Sequence, residues 1–367
     1  PRVPRRGLRW HSTGAAPPGA ARREPGVLDG FFKPGSVAVV GASRHEAKVG
    51  GSLVANLLRG GFRGPIYPVN PEAQEIQGLR CYPDIRSLPA GTELAVLAIP
   101  PRACIPALEA AAAKGIRWAI VISAGFKEVG GEGAELERAL RARVRELGIR
   151  LVGPNCLGVI DTGSRLNATF AAGMPPRGAI AFFSQSGALC TAILDWAMGS
   201  DVGFSKFISL GNKADTSEVD FIQALAADPD TRVILGYIEG VDDGRRFLEA
   251  ARAASRVKPL IMVKSGGTAA GARAASSHTG TLAGSERAFA AAFRQAGILR
   301  AESLEELFNY ARAFAEQPLP ALRSEVHQRI VFADSVAAGR LARETAPDSA
   351  AAREITALVD ELLRWPT

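Results

Sequence analysis

Residues 276–280 (SSHTG) set one imidazole, His278, among small neighbours, and 281–285 (TLAGS) lead into a helix-like run at 286–295. A histidine left uncrowded on a pliable backbone can attack phosphorus. The chain has only four histidines, His11, His45, His278 and His327. A loop histidine is more often a surface or capping group, so the rest of the sequence must decide its role. Glu239 ends the apolar run 234–239 (ILGYIE) before Gly240. A carboxylate at a strand's carboxyl end can face the same rim as the histidine. Bound to one ring nitrogen, it would fix the tautomer and leave the other nitrogen nucleophilic. A solvated strand end is the alternative for Glu239.

Residues 183–188 (FSQSGA) form a strand-to-helix turn in which Ser184, Ser186 and Gly187 could cradle an anion. Either serine could equally cap the following helix. Phe182 stands where a GxSxG motif needs its first glycine, which disfavours a serine hydrolase. Another such turn holds Gly41, Ala42 and Ser43, then Lys48 and the pair Gly50-Gly51. Its backbone N–H groups could meet phosphate, or it could be a tight turn without a ligand. It is not a strict GxGxxG. The next strand ends in Val69-Asn70-Pro71, with no acid for a ribose hydroxyl, which weighs against NAD. Loops bearing Pro100, Ser123 and Asn155 follow three further strands. Four such loops on one sheet edge point to a nucleotide-like ligand. No Walker A motif and no metal-ligand spacing are present in the sequence.

These residues need a scaffold that brings strand ends together. Short β-branched runs at 36–41, 65–70, 94–99, 118–122 and 150–152 alternate with helix-like runs at 51–60, 104–114 and 134–147. A second series has strands at 179–183, 204–210, 233–238 and 259–264, with helices at 187–198, 218–227, 245–254 and 304–315. The alternation predicts an α/β protein with two parallel sheets covered on both faces. Residues 156–177 read as a link between them. After Pro320 the pattern weakens to one possible strand at 329–333 and a charged helical run at 337–363.

The length of 367 residues suits two domains. The net charge of +7 is mostly local, because residues 1–24 hold six arginines against one acid. The basic balance therefore belongs to a tail, expected to be disordered, and implies no nucleic-acid surface. Four dispersed cysteines without a CxxC suggest reduced thiols. With no long apolar run, no membrane association is expected, and the protein is expected to be cytoplasmic.

In order, the motifs VVGAS, PVNP, IPP, SAGF, GPNCLG, FSQSGAL, SLGNKAD, YIEG and SSHTGTLAGS resemble the NDP-forming acyl-CoA synthetase superfamily. That superfamily includes the α-subunit of ADP-forming acetate–CoA ligase and succinyl-CoA synthetase, and its module recurs in protein lysine acetyltransferase fusions. The resemblance spans about residues 28–320. It implies a basic tail at 1–27, a Rossmann-like CoA-binding domain at 28–155, a flavodoxin-like ligase domain at 156–320 and a divergent or truncated tail at 321–367. Gly41, Ala42, Ser43, Lys48, Asn70, Pro100, Ser123 and Asn155 would then lie near coenzyme A. His278 would be the phosphorylated histidine, Glu239 its orienting acid, and Ser184, Ser186 and Gly187 the phosphate contacts. Magnesium-bound ADP or ATP would sit on an ATP-grasp β-subunit or domain, in an oligomer. That module is not in this sequence, so complete turnover is expected to need a partner. The alternative implied by the fusions is a non-catalytic acyl-CoA-binding regulatory module.

Overall fold

The computed structural model describes residues 28–200, 202–265 and 286–316, with four positions among 352–357. The tail at 1–27, the His278 segment and the strand expected at 329–333 lie outside the described residues, as does most of the 337–363 run. The chain divides into two units, Pro1–Ala311 and Arg312–Thr367; every contact below lies in the first, and only the helix Leu304–Glu316 runs across the boundary.

After a short helix α1 (Asp29–Phe32), the first sheet is built from β1 (Val37–Val40), β2 (Ile66–Val69), β5 (Leu94–Leu97), β6 (Trp118–Val121) and β7 (Arg150–Val152). Their order is β2-β1-β5-β6-β7, and all pairs are parallel. Alternate residues serve opposite faces. Val37, Val39, Val96, Ile120 and Val152 join one core cluster, while Ala38, Val40, Ala95, Leu97 and Val121 join another. Helix α2 (Val49–Gly60) covers the first face with Leu53, Val54 and Leu57. Helices α3 (Pro101–Ala113) and α4 (Gly131–Leu147) cover the second with Leu108, Leu140 and Val144. Burial on both faces is why these strands read as continuous apolar runs. A small hairpin, β3 (Glu75–Ile76) with β4 (Leu79–Arg80), extends the loop after β2.

The second sheet departs from the expected all-parallel arrangement at one edge. The stretch read as a link forms β8 (Gly158–Asp161) and β9 (Leu166–Thr169), paired antiparallel to each other, with β8 antiparallel to β11 (Phe204–Ser209). The rest is parallel: β10 (Arg177–Ser184), β12 (Val233–Ile238), β13 (Leu260–Lys264) and a two-residue β14 (Leu299–Arg300). The order is β14-β13-β12-β10-β11-β8-β9. Helices α6 (Glu218–Ala227), α7 (Gly244–Ser255) and α8 (Glu286–Ala296) bury Phe221, Phe247 and Phe293 against one face. On the other, the rings of Phe182 and Phe204 each meet Phe207 and also Phe308 of α9 (Leu304–Glu316), which in turn meets Trp196 of α5 (Gly187–Met198).

The two sheets share one core. The Phe32 and Phe221 rings meet edge to face at 6.1 Å. The buried Asn56 amide of α2 donates to Thr169 O at 2.7 Å and Ala171 O at 2.6 Å, tying the first sheet's helix to β9. Arg150 of β7 reaches Asp215 at 2.9 Å and Asp220 at 3.0 Å.

Candidate functional site

The turn after β1 is shaped by close backbone approach. Gly41 has φ +85°, and a Cβ there would sit 2.3 Å from Ala98 O. A Cβ on Gly50 would sit 1.9 Å from Gly41 O. Only glycine permits this packing of the helix start against the turn. Ala42 is buried, while Lys48 is exposed and precedes α2 with extended dihedrals. Ser43 Oγ accepts from His45 N at 3.1 Å. Asn70 braces the turn from the neighbouring strand: its amide donates to Ala42 O at 2.8 Å and accepts from Glu72 N at 2.8 Å.

Further along the same edge, Ser123 Oγ donates to Ile99 O at 2.5 Å and accepts from Ile99 N at 3.2 Å. Its hydroxyl thus bridges the ends of β5 and β6. Exposed Pro100 precedes α3. Asn155 takes φ +57°; its N–H donates to Ser123 O at 2.9 Å and its amide to Asn212 Oδ1 at 3.3 Å.

A cavity of about 580 Å³ opens where these loops meet the second sheet. It is lined by Val49, Ala98, Ile99, 122–124 and 155–157 from the first half, and by Phe170, Gly187, Ala188 and Thr191 from the second. Of the residues singled out in the sequence, Ser123, Asn155 and Gly187 come together here. Gly41, Ala42, Ser43, Lys48, Asn70, Pro100, Ser184 and Ser186 are not among the lining. The cavity sits at the carboxyl ends of β5 and β6, beside the point where the strand order reverses between β1 and β5. Open parallel sheets bind ligands at such points. It also meets the N-terminus of α5, whose first amides have no partner within the helix and favour anions.

The turn before α5 is held from inside. Ser184 is fully buried; its hydroxyl donates to Ser186 O at 3.1 Å and accepts from Ser186 N at 3.0 Å. Ser186 caps the helix, accepting from Leu189 N at 3.4 Å. Between them, Gln185 Oε1 accepts from the N–H groups of Glu239 at 2.7 Å and Gly240 at 3.0 Å. Gln185 Nε2 donates to Gly240 O at 2.8 Å and Glu218 Oε2 at 3.1 Å. Lys213 Nζ joins the same Glu218 oxygen at 3.1 Å and Asp242 at 3.4 Å. The sequence reading assigned no role to Gln185, Lys213 or Glu218. Their only sequence signal is position, in turns that follow strands of one edge.

Half-buried Glu239 directly follows β12, which pairs with β10. Burial raises the Tyr237 phenol's pKa, and the Glu239 charge raises it further. Burial lowers the Lys264 ammonium's pKa, against the pull of Glu286 and Glu239. His278 lies outside the described residues. Its segment follows Ser265, whose N–H donates to Ile238 O at 2.9 Å beside Glu239. Among the described residues, no group of three or more His, Cys, Asp or Glu could hold a metal ion. No helix among them is long and apolar enough to cross a membrane.

Residues 35–162 match the CoA binding domain family, and residues 177–314 match the succinyl-CoA ligase like flavodoxin domain family. Acetate–CoA ligase (ADP-forming) I of Archaeoglobus fulgidus is 49% identical over 284 residues, covering 77% of this chain and 41% of the relative. The α-subunit of acetate–CoA ligase (ADP-forming) I of Pyrococcus furiosus is 42% identical over 297 residues, covering 80% of this chain and 64% of the relative. The solved structure of Ca. Korarchaeum cryptofilum dinucleotide forming acetyl-coenzyme A synthetase 1, in complex with phosphate and ADP, superposes with a TM-score of 0.77 at 42% identity. That match covers 80% of this chain and 63% of the solved one. The chain therefore spans less than two thirds of each of these three proteins. Matched in order over both halves, the chain belongs to the NDP-forming acyl-CoA synthetase superfamily, with a CoA-binding domain followed by a succinyl-CoA ligase-like flavodoxin domain.

Proposed function

We propose that this chain is the CoA-binding, phosphohistidine-carrying part of an ADP-forming acyl-CoA ligase that works with an ATP-grasp subunit or domain. Residues 28–155 hold coenzyme A, residues 156–320 handle the phosphoryl group, and the assembly is a cytoplasmic oligomer. The observation that carries this reading is the cavity at which strand-end loops of the first sheet meet the N-terminus of α5. A thioester held by the first edge would there face an anion-binding helix end of the second.

In this reading inorganic phosphate attacks the thioester carbonyl, the carbon–sulfur bond breaks, and coenzyme A leaves with acyl phosphate formed. A His278 ring nitrogen then attacks phosphorus and displaces the carboxylate. The phosphohistidine passes its phosphoryl group to ADP, held with magnesium on the partner, and every step is reversible. Glu239 holds the other ring nitrogen, which keeps the attacking one unprotonated. The first amides of α5, from Gly187 on, stabilise charge spreading over the phosphoryl oxygens. Ser184 and Ser186 set the backbone of that turn. Gly41, Ala42, Ser43 and Lys48 meet the phosphates of coenzyme A, while Asn70, Pro100, Ser123 and Asn155 shape the loops along its path. Relatives named for acetate and a neighbour solved with phosphate and ADP support this reading.

The test incubates the chain with radiolabelled phosphate and a panel of acyl-CoAs, beside His278→Ala. Acid-labile, base-stable label that disappears in the variant is expected. Coenzyme A binding without label would instead identify a non-catalytic acyl-CoA-binding module.

A further inference from the structure

Gln185 uses its whole amide. Its oxygen accepts from two N–H groups and its nitrogen donates to a carbonyl and a carboxylate. Reversing the amide would replace these four contacts with four repulsive ones, which settles the orientation. The carboxylate, Glu218, is 1% exposed and is itself held by Lys213. Lys213 adopts φ +60°, unusual for a residue with a side chain, and also donates to Gly240 O at 3.3 Å. The strands behind these turns are paired directly, Ser184 opposite Tyr237. Two turns are thereby locked together: the one opening α5 and the one bearing Glu239.

Resting on the ligase reading above, we infer that Gln185 is a positioning residue for phosphoryl transfer. It fixes the Glu239–Gly240 turn against the anion-binding end of α5, with Glu218 and Lys213 holding its amide in place. It touches no reacting atom. Its effect passes through Glu239, so losing it slows the phosphoryl step without changing how acyl-CoA binds. Geometric errors of this kind cost rate steeply, about 100-fold for a displacement of about 1 Å.

The experiment supplies an acyl-CoA and radiolabelled phosphate to the 367-residue chain. It follows the rate constant and final stoichiometry of acid-labile label. Four proteins are compared: wild type, Gln185→Met, Glu239→Gln and the double variant. Gln185→Met is expected to label about 10- to 100-fold more slowly. Its final stoichiometry and half-saturating acyl-CoA concentration should be unchanged. Because Gln185 acts through Glu239, the double variant should match Glu239→Gln within about twofold. Gln185→Glu keeps both accepted bonds and places a carboxyl against Glu218, where a proton is bound more readily. Its rate relative to wild type should therefore recover as pH falls from about 8 to about 6. That variant carries the test if the methionine variant does not fold. Wild-type labelling in Gln185→Met, or multiplicative slowing in the double variant, overturns the inference and leaves the ligase reading standing. A wild-type chain that takes no label overturns both.

Discussion

Single residues near the carboxyl edge divide into those that face the cavity and those that hold its loops. Asn70, Ser123 and Ser184 are polar, and all three were expected to contact a ligand. Each also makes a hydrogen bond that holds the edge together: Asn70 to Ala42 O and Ser123 to Ile99 on neighbouring loops, Ser184 to Ser186 within its own turn, and Ser123 lines the cavity as well. Residue type and spacing reveal that a polar group sits at a strand end. They do not reveal which partner its hydrogen bond takes, and for Asn70 and Ser123 that partner follows another strand. The glycines are more legible, since a strand–turn–helix needs small residues where backbones touch. Gly50→Ala is expected to destabilise the chain by about 1–3 kcal/mol through overpacking against Gly41 O. A thermal melt and a coenzyme A titration on the same sample would check it, with both stability and affinity expected to fall.

Among elements, most strands and helices follow from apolar runs and their alternation, and α5, α6 and β12 span the residues expected. The pair β8–β9 does not. Its four-residue strands, GVID and LNAT, carry little apolar pattern, and their burial comes from packing on α2 and β11. A strand stabilised mainly by tertiary contact leaves a weak trace in sequence. The loop after β11 illustrates the same limit. Asn212 Nδ2 donates to Glu128 at 2.6 Å and Glu137 at 2.7 Å, while Asp215 of the same loop takes Arg150. This loop pins the second sheet to the first, which the motif GNKAD alone does not disclose. Asn212→Ala leaves two carboxylates without that donor and is expected to cost about 1.5–3 kcal/mol, read as a lower denaturant midpoint.

For the molecule as a whole, the order of motifs made the architecture and family readable before any coordinates. The union of the two halves was not readable, because it rests on ion pairs and amides distant in sequence. One of these links gives a pH signature. Burial alone would raise the Glu128 pKa, but hydrogen bonds from Asn212, Gly125 and Phe126 outweigh it and hold it below the usual carboxylate value. A depressed folded-state pKa adds stability above the unfolded-state value, and that stability is lost as pH falls through the folded one. Glu128→Gln should therefore lower the melting temperature at neutral pH and narrow the gap to wild type in acid. Parallel melts at several pH values would measure this.

The lining of the central cavity has a consequence for anything that binds there. Among the described residues of its lining there is no Asp, Glu, His, Lys or Arg, and the thiol there, Cys156, is pushed up to about 12 by burial. These described walls therefore keep one electrical state from mildly acidic to mildly alkaline water. A guest's affinity for this chamber should follow its own ionisation and shape. Sensitivity to salt is expected where parts of the guest reach exposed charges such as Lys48.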